Sequence, residues 1–340
     1  MPYRALVVGC GGMGQGWMET IRKNPRAELV GVVDVRGPAA TEAAAKHGLP
    51  PERAFTDLRR AIAITKPDFV ADITIPEAHC ATTVTALAKG LPVIGEKPLA
   101  HSMAAARRMA KAADKAGKLS MISQSRRYDR NHAALVATLR ADAIGAITAL
   151  NCDFYIGAHF GGFRDEMESP LVLDMAIHQF DLCRYLTGAD PVAVYAKEFN
   201  PQASWYKGDV AASIIFEMTG GIIFTFRGSW CAEGCHTSWN GDWRVIGTRG
   251  TLLQVGDQAP HGQRVKAGGE VKFHRELEAV PITAASVPGD GIAGSLSEFL
   301  DALDGKGTPQ CEVHDNIKSL AMVFAAMESS RKGRRIAVRW

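Results

Sequence analysis

The pattern of hydrophobic and polar residues changes near residue 125 of this chain. In the first part, short continuous apolar runs alternate with stretches in which apolar residues recur every three or four positions. Fully buried strands of a parallel sheet give such runs, and helices give the longer period. The runs lie at residues 5–8, 28–33, 68–73, 92–95 and 119–123. This alternation predicts a parallel sheet with helices between its strands.

The second part alternates apolar and polar residues with a period of two. These runs lie at residues 147–156, 192–197, 210–216, 222–229, 243–246 and 251–255, and helical patterns lie at 131–140, 292–303 and 315–331. Several runs follow one another with turn residues but no helix between them, which predicts an antiparallel sheet. We therefore predict an α/β protein with two domains, residues 1–123 and 124–340, each long enough to bury a core.

A glycine-rich sequence joins the first strand to the first helix. It is Gly9-Cys10-Gly11-Gly12-Met13-Gly14, and the second apolar run ends about 20 residues later at Asp34. Gly9 permits a tight turn, Gly11 lets the backbone approach a pyrophosphate, and Gly14 lets the helix pack closely on the strand. The first N–H groups of the helix face the phosphates, and Asp34 accepts hydrogen bonds from a ribose diol. The order strand, glycine loop, helix, strand, acid predicts a dinucleotide site that includes Gly12 and Met13.

Further candidate cofactor-binding residues follow the other apolar runs of the first domain. In such a sheet the ligand lies beyond the carboxyl ends of the strands. The residues at those ends are Thr74, Ile75 and Pro76, then Glu96 and Lys97, and finally Gln124. We expect them to line one crevice together with the glycine loop.

Two charged residues after the second strand bear on the choice of cofactor. The carboxylate of Asp34 would repel a 2′-phosphate, which favours NAD. Arg36 lies two positions further on and could bind that phosphate, so use of NADP stays open at this point. The alternative for Arg36 is a solvated loop charge.

One helix of the second domain, predicted over residues 170–186, is apolar except for a single polar stripe. Ser169 is a suitable N-cap for this helix, and Pro170 is a suitable first helical residue. The stripe consists of Asp174, His178, Asp181 and Tyr185. Because the rest of the helix is apolar, we expect it to be buried, with the stripe facing either a pocket or buried hydrogen-bond partners. Asp174 and His178 lie one turn apart, which favours a catalytic pair over a structural stripe.

These motifs resemble those of the Gfo/Idh/MocA family, the relatives of glucose–fructose oxidoreductase and inositol dehydrogenase. The motifs are Gly9-x-Gly11-x-x-Gly14, Asp34, Thr74-x-Pro76 with His79, Glu96-Lys97-Pro98, Arg126-Arg127-Tyr128-Asp129 and Asp174-x-x-x-His178. The resemblance implies an N-terminal Rossmann domain and a C-terminal α/β domain with an open, mostly antiparallel sheet. It implies an NAD(P)-dependent oxidoreductase without a catalytic metal. It adds His79 to the cofactor-binding set and Arg127 and Tyr128 to the substrate-binding set, and it implies a cis peptide bond before Pro98.

The resemblance also implies a reaction, the oxidation of a secondary alcohol of a sugar, inositol or related cyclic polyol. The nicotinamide accepts the hydride, and His178, whose ordinary pKa is about 6.5, accepts the hydroxyl proton. Lys97 hydrogen-bonds the reacting oxygen, and Asp174 holds a substrate hydroxyl or orients the site. His159 and Arg164, on a glycine-rich loop, are further substrate-binding candidates.

Two other functions fit the same motifs. One is an NAD-dependent glycosidase on the same fold, in which a transient oxidation permits bond cleavage. The other is a nucleotide-binding sensor without catalysis, which the intact set Lys97, Asp174 and His178 disfavours.

Composition narrows the expected partners and location. A formal net charge of +3 with 22% charged residues gives no large basic field for nucleic acid. No apolar run is long enough to span a bilayer, so we expect no membrane partner. The seven scattered cysteines fit free thiols in a reducing cytoplasm. Cys231, Cys235 and His236 lack a second ligand pair with zinc-like spacing, so we expect no metal site.

The alternating strands of the second domain predict a subunit interface. One face is expected to be free and to carry Phe216, Phe224, Phe226 and Trp230. Apolar patches of that size are uncommon on monomers, so we expect a homodimer or homotetramer joined sheet to sheet. Trp230 and Trp243 are assigned to the core or an interface, whereas Trp205 and Trp239 stay open between packing and substrate contact.

Overall fold

A computed structural model describes the whole chain, Met1 to Trp340, as two compact units. The helices are α1 (Gly12–Lys23), α2 (Gly37–Lys46), α3 (Leu58–Thr65), α4 (Pro76–Ala88), α5 (Met103–Ala116), α6 (Arg130–Arg140), α7 (Ala176–Thr187), α8 (Gly291–Leu303) and α9 (Val313–Lys332). The strands are β1 (Tyr3–Val8), β2 (Ala27–Val33), β3 (Ala54–Phe55), β4 (Phe69–Asp72), β5 (Val93–Glu96), β6 (Ser120–Ser123), β7 (Ile147–Tyr155), β8 (Pro191–Phe199), β9 (Ala211–Met218), β10 (Ile223–Ser229), β11 (Asp242–Gly247), β12 (Gly250–Gln254), β13 (His261–Val265), β14 (Leu277–Ala279) and β15 (Ile336–Ala337). None of the helices is both long enough and apolar enough to cross a membrane.

The first unit is built on a parallel sheet of six strands in the order β3-β2-β1-β4-β5-β6. The alternation of strands and helices that the sequence predicts is confirmed. The two-residue strand β3 was not predicted, because two residues show no periodicity.

The first unit is discontinuous in sequence. It comprises Met1–Tyr128 and Pro288–Leu320, so the structure moves residues 288–320 out of the predicted second domain. The physical reason is the apolar side of α8. Phe299 is fully buried there and packs edge to face on Phe69 of β4, with ring centroids 5.2 Å apart.

The second unit, Asp129–Val287 and Ala321–Trp340, is built on a sheet of nine strands. Their order is β14-β13-β12-β11-β7-β10-β9-β8-β15. Only β7 and β10 pair in parallel; the other neighbouring pairs are antiparallel, which confirms the mostly antiparallel sheet.

The prediction that four aromatic residues lie on a free sheet face is wrong. Phe216, Phe224 and Phe226 are fully buried and Trp230 is 2% exposed. Phe180 of α7 packs on the first three rings at centroid distances of 4.9 to 6.3 Å. Alternation shows which residues share a face, but it does not show which face a helix covers.

The opposite face of this sheet carries the exposed positions of the alternating strands. We call it the outer face. Its exposed side chains include Tyr195 and Lys197 of β8, Ile215 of β9, and Ile223 and Arg227 of β10. Tyr195, Ile215 and Ile223 are 52%, 46% and 39% exposed, so apolar surface does lie here, on residues other than those predicted.

Candidate functional site

The candidate cofactor-binding residues of the first unit lie at one edge of its sheet. Gly9 follows β1, Asp34 follows β2, Thr74 follows β4, Lys97 follows β5 and Gln124 follows β6. Because all six strands are parallel, their carboxyl ends meet at the same edge. The structure thus brings these predicted residues together.

The glycine loop has the geometry that its sequence predicts. Gly9 has a φ of +100°, and a Cβ there would lie 2.2 Å from the carbonyl oxygen of Ile73. A Cβ on Gly14 would lie 2.0 Å from the carbonyl oxygen of Gly9, so the helix can approach the strand only with glycine at this position. A Cβ on Gly11 or Gly12 would meet nothing within 4 Å. The loop therefore packs tightly at Gly9 and Gly14 and is open at Gly11 and Gly12, and Met13 is 55% exposed.

The carboxylate of Asp34 connects the glycine loop to Arg36. Its Oδ2 accepts a hydrogen bond from the backbone N–H of Cys10 (2.9 Å), and its Oδ1 accepts one from Nε of Arg36 (3.2 Å). Burial alone would raise the pKa of Asp34, but the hydrogen bonds from Arg36 and Cys10 outweigh it and lower that pKa. Asp34 is therefore an ionised acceptor fixed beside the loop.

Lys97 is positioned by a buried carboxylate. Glu96 is 8% exposed; its Oε1 accepts a hydrogen bond from Nε1 of Trp17 (2.8 Å), and its Oε2 accepts one from the backbone N–H of Lys97 (3.1 Å). Burial raises the pKa of Glu96, against the lowering effect of Trp17 and Lys97. The peptide bond between Lys97 and Pro98 is cis, as expected. Glu96 therefore fixes the backbone of Lys97, and its contact with the cofactor stays a prediction.

His79 also has a supporting position. It is 2% exposed, and its Nδ1 lies 3.1 Å from Oδ1 of Asp72. The same oxygen accepts a hydrogen bond from the hydroxyl of Thr74 (2.6 Å). His79 therefore holds the end of β4 in place and has almost no surface of its own, whereas Ile75, 64% exposed, lies at the open edge just before Pro76 starts α4.

Arg127 and Tyr128, predicted to bind substrate, are inside the first unit instead. Arg127 is 5% exposed and donates hydrogen bonds to the carbonyl of Gln310 and the carboxylate of Asp315. Tyr128 is 1% exposed and donates to Glu298. Both side chains thus hold the segment 288–320, and their role in substrate binding stays a prediction.

In the second unit, the helix with the polar stripe forms as predicted but begins differently. Residues Leu171–Met175 form a π-helical turn, followed by the α-helix α7, which ends at Thr187 and is capped by Gly188 in the left-handed conformation. Asp174 lies in the π turn and His178 in the first turn of α7. His178 is 9% exposed and Asp181 is 2% exposed, so the stripe is largely buried.

Arg164 and Asp174 form an ion pair. Nε of Arg164 donates to Oδ2 of Asp174 at 2.6 Å. The guanidinium also lies 4.9 Å from the ring centroid of Phe160 and 4.7 Å from that of Phe163. The sequence predicts a substrate role for Arg164 but not these partners.

His159 lies in the same loop as Arg164 and is exposed. Its ring stacks on Trp205 with centroids 3.7 Å apart, and its Nε2 lies 2.8 Å from Oε1 of Glu233. Trp205 is thereby part of the loop packing. Trp243, 2% exposed, lies in the core as predicted.

Comparison with known families assigns both parts of the chain. A family model described as "Oxidoreductase family, NAD-binding Rossmann fold" matches residues 3–124, and one described as "GFO/IDH/MocA C-terminal domain" matches residues 132–253. The chain belongs to the Gfo/Idh/MocA oxidoreductase family. As a member of that family it is an NAD(P)-dependent oxidoreductase acting on CH–OH groups, and its first unit is an NAD-binding Rossmann domain.

Individual Gfo/Idh/MocA relatives are similar over almost the full length. The uncharacterized protein y4oX of Sinorhizobium fredii is 30% identical over 365 residues, which cover 99% of this chain and 96% of that protein. D-apiose dehydrogenase of Paraburkholderia graminis is 26% identical over 351 residues, covering 99% and 90%. The fold matches a crystal structure of an oxidoreductase from Agrobacterium radiobacter in complex with NAD+, L-tartaric acid and magnesium, with a TM-score of 0.86, 22% identity and 99% coverage of each chain.

The residues at the sheet edge fit the NAD of this Gfo/Idh/MocA domain. The space beside Gly11 and Gly12 leaves room for phosphates at the start of α1, whose N-cap Gly11 supplies no side chain to occupy its N–H groups. Asp34 offers an ionised acceptor for a ribose diol. Gln124 is 1% exposed, and its side-chain amide has no hydrogen-bond partner within the protein. Buried polar groups are usually hydrogen-bonded, so this amide is a candidate hydrogen-bonding partner for the cofactor.

Sequence reasoning missed the residues that support the site. Trp17 holds Glu96 across 79 positions of sequence, and Phe160 and Phe163 contact the guanidinium of Arg164. The first contact has no local signal, since it joins α1 to β5. The second had one, because two phenylalanines precede Arg164 within four positions of the sequence.

Proposed function

We propose that this protein is an NAD-dependent dehydrogenase that oxidises a secondary alcohol of a sugar, inositol or related cyclic polyol. The observation that carries the proposal is the set Lys97, Asp174 and His178 in a member of this family. Lys97 follows β5 at the edge that fits NAD, and the other two lie on one helix of the second unit. The similarity to a protein named D-apiose dehydrogenase supports a sugar as substrate class.

The three side chains have complementary chemistry for this reaction. NAD, when bound, supplies the acceptor for the hydride that leaves the alcohol carbon. His178 accepts the hydroxyl proton, so that the alcohol loses one hydride and one proton in total. The ammonium of Lys97 donates a hydrogen bond to the reacting oxygen and stabilises its developing negative charge. Asp174, oriented by Arg164, accepts a hydrogen bond from a neighbouring hydroxyl of the substrate.

We propose NAD rather than NADP as the preferred cofactor. The ionised carboxylate of Asp34 occupies the position that reads the ribose, and it would repel a 2′-phosphate. Arg36 is the residue that could favour NADP, but its guanidinium is paired with Asp34.

We further propose a homodimer or homotetramer that forms through the outer face of the nine-stranded sheet. Tyr195 lies directly opposite Ile215 in the sheet, so their exposed apolar surfaces are continuous. Covering such a surface with a second copy of the same sheet would stabilise both subunits. All seven cysteines are free thiols, which supports our proposal of a reducing compartment such as the cytoplasm.

A panel of sugars, inositols and sugar acids, with NADH formation as readout, tests the proposed reaction. We expect net NADH with at least one free cyclic polyol or sugar. We expect Lys97→Ala and His178→Ala each to lower turnover by about 10²–10⁴-fold while NAD still binds, because each removes a group that acts on the reacting oxygen or its proton. Lys89→Ala, an exposed lysine after α4, is the matched control with unchanged turnover.

Two outcomes would contradict the proposal. Turnover like that of the wild type in either variant would remove that residue from the reaction. Release of a leaving group from a glycoside without net NADH would instead identify the glycosidase alternative.

A further inference from the structure

Three exposed aromatic side chains of the second unit form one surface. Phe160, Phe163 and Trp239 are 42%, 67% and 47% exposed, and we call them the aromatic wall. The rings of Phe160 and Trp239 pack on each other with centroids 6.1 Å apart. Single exposed aromatic residues are ordinary, but a contiguous group indicates a surface that is covered by something else.

The aromatic wall is anchored in the core of the unit. Phe160 packs edge to face on Trp230 at 5.0 Å, and Trp239 packs on Phe154 at 6.1 Å. Trp230 is 2% exposed and Phe154 is fully buried. The two anchored rings therefore keep their outward surfaces in place.

The aromatic wall adjoins a carboxylate to which we assign substrate binding. The guanidinium of Arg164 lies against both phenylalanine rings, and its Nε donates to Asp174 at 2.6 Å. This surface thus combines exposed aromatic rings with a paired arginine and carboxylate. Pockets for small ligands combine these features: apolar walls for most of the contact and a few polar groups for orientation.

We propose that the aromatic wall stacks on the apolar C–H face of a cyclic substrate, a pyranose or cyclitol ring. The ring's hydroxyl edge then faces Asp174 and Arg164. This inference rests on the proposed function and deepens it, because it makes the wall the group that selects rings over open chains. An open-chain polyol presents no flat C–H face of that kind, so it gains little from an aromatic surface.

Binding to the full-length protein saturated with NAD tests the wall. The probes are myo-inositol, D-glucose and methyl β-D-glucopyranoside as rings, and D-glucitol as the open chain, followed by saturation-transfer NMR. We expect at least one ring to bind and to receive saturation at its C–H protons, with D-glucitol weaker. Phe160→Ala and Trp239→Ala should each lower the affinity for that ring compound by about three- to tenfold, which is the effect of one aromatic contact.

Matched variants separate this effect from a folding defect. Phe163→Ala removes the most exposed ring of the wall, which is not anchored by a core aromatic residue, and should weaken ring binding without changing the melting temperature. Phe273→Ala, in the same unit and 96% exposed, should leave ring binding unchanged.

The results distinguish the wall from the proposed function. The proposed stacking is refuted if no ring probe binds, or if all three wall variants bind the ring probes as well as the wild type does. NADH formation from a ring substrate with an unchanged KM in these variants also overturns it while the dehydrogenase proposal stands. If ring binding depends on the aromatic wall but no alcohol is oxidised, the proposed stacking is supported and the proposed dehydrogenase activity is contradicted.

Discussion

At the scale of single residues, we propose that Asp34 and Arg36 decide which dinucleotide binds. Asp34→Asn removes the negative charge yet keeps an oxygen for the N–H of Cys10, so the loop should stay intact. It also frees the guanidinium of Arg36 from its ion pair. We expect the affinity for NADP relative to NAD to rise about tenfold or more, as for a hydrogen bond to a charged group. Fluorescence titration with NADH and NADPH measures the ratio.

A second variant tests the assignment to Arg36. In Asp34→Asn/Arg36→Ala the gain for NADP should shrink to the part that comes from removing the Asp34 charge, because no cation remains there to pair with the phosphate. Tighter binding of NADP than of NAD by the wild type would contradict the role of Asp34.

Glu198 is a buried carboxyl group that should make stability depend on pH. It is 3% exposed; burial, together with Asp209 and Glu168, raises its pKa to about 7, although a hydrogen bond from Ser169 opposes the shift. A raised pKa means that the folded state favours the protonated form. Its stabilising contribution is complete below the unfolded pKa of about 4.3 and is lost as the pH rises through 7.

Glu198→Gln mimics the protonated form and should therefore stabilise the protein at high pH. We expect a gain of about 3 kcal/mol in the free energy of unfolding at pH 8, shrinking as the pH falls from 7 towards 4.5. Urea unfolding at several pH values measures it. Glu217→Gln is the control: Glu217 pairs with Arg335 at the surface and its pKa is lowered, so no gain at high pH is expected. A pH-independent difference for Glu198→Gln would refute the assignment.

At the scale of elements, the junction of β1 and α1 depends on close backbone contact. Gly14→Ala would place a methyl group 2.0 Å from the carbonyl oxygen of Gly9, so α1 must move away from the strand. We expect a lower melting temperature and weaker NAD binding. In the same helix, a Cβ on Gly16 meets only the end of Ile292 at 3.9 Å. Gly16→Ala should therefore stabilise the protein by up to about 1 kcal/mol; equal effects of the two variants, seen by thermal unfolding, would contradict this account.

The elements that the sequence predicts well are those with a strong local period. The strands of the first unit are buried on both faces, so each gives a continuous apolar run. The π turn at Leu171–Met175 is different, because a test for the period of 3.6 residues detects a helix but not a local change in its hydrogen bonding. The stripe from Asp174 to Tyr185 was therefore placed on the right helix but with an ideal α-helical geometry that its first residue lacks.

At the scale of the whole molecule, long-range packing limits what sequence can predict. The strand ends that fit NAD could be predicted, because a parallel sheet brings its carboxyl ends together whatever the side chains do. The internal contacts of Arg127 could not be predicted, because its partners Gln310 and Asp315 are more than 180 positions away. For the same reason the boundary at residue 123 missed the return of residues 288–320 to the first unit.

The exposed apolar residues of the outer face predict the oligomeric state of the protein. A wild-type mass of two or four times 36.5 kDa by light scattering is expected. Ile215→Glu puts a charge in the middle of the exposed apolar surface, beside Tyr195, and should yield particles of the monomer mass. Ile64→Glu is the matched control, since Ile64 is 49% exposed on the first unit and should leave the mass unchanged. A wild-type mass of 36.5 kDa would show that the outer face is solvated. The buried aromatic residues Phe216, Phe224 and Phe226 would be unaffected by that result, because Phe180 of the same chain already covers them.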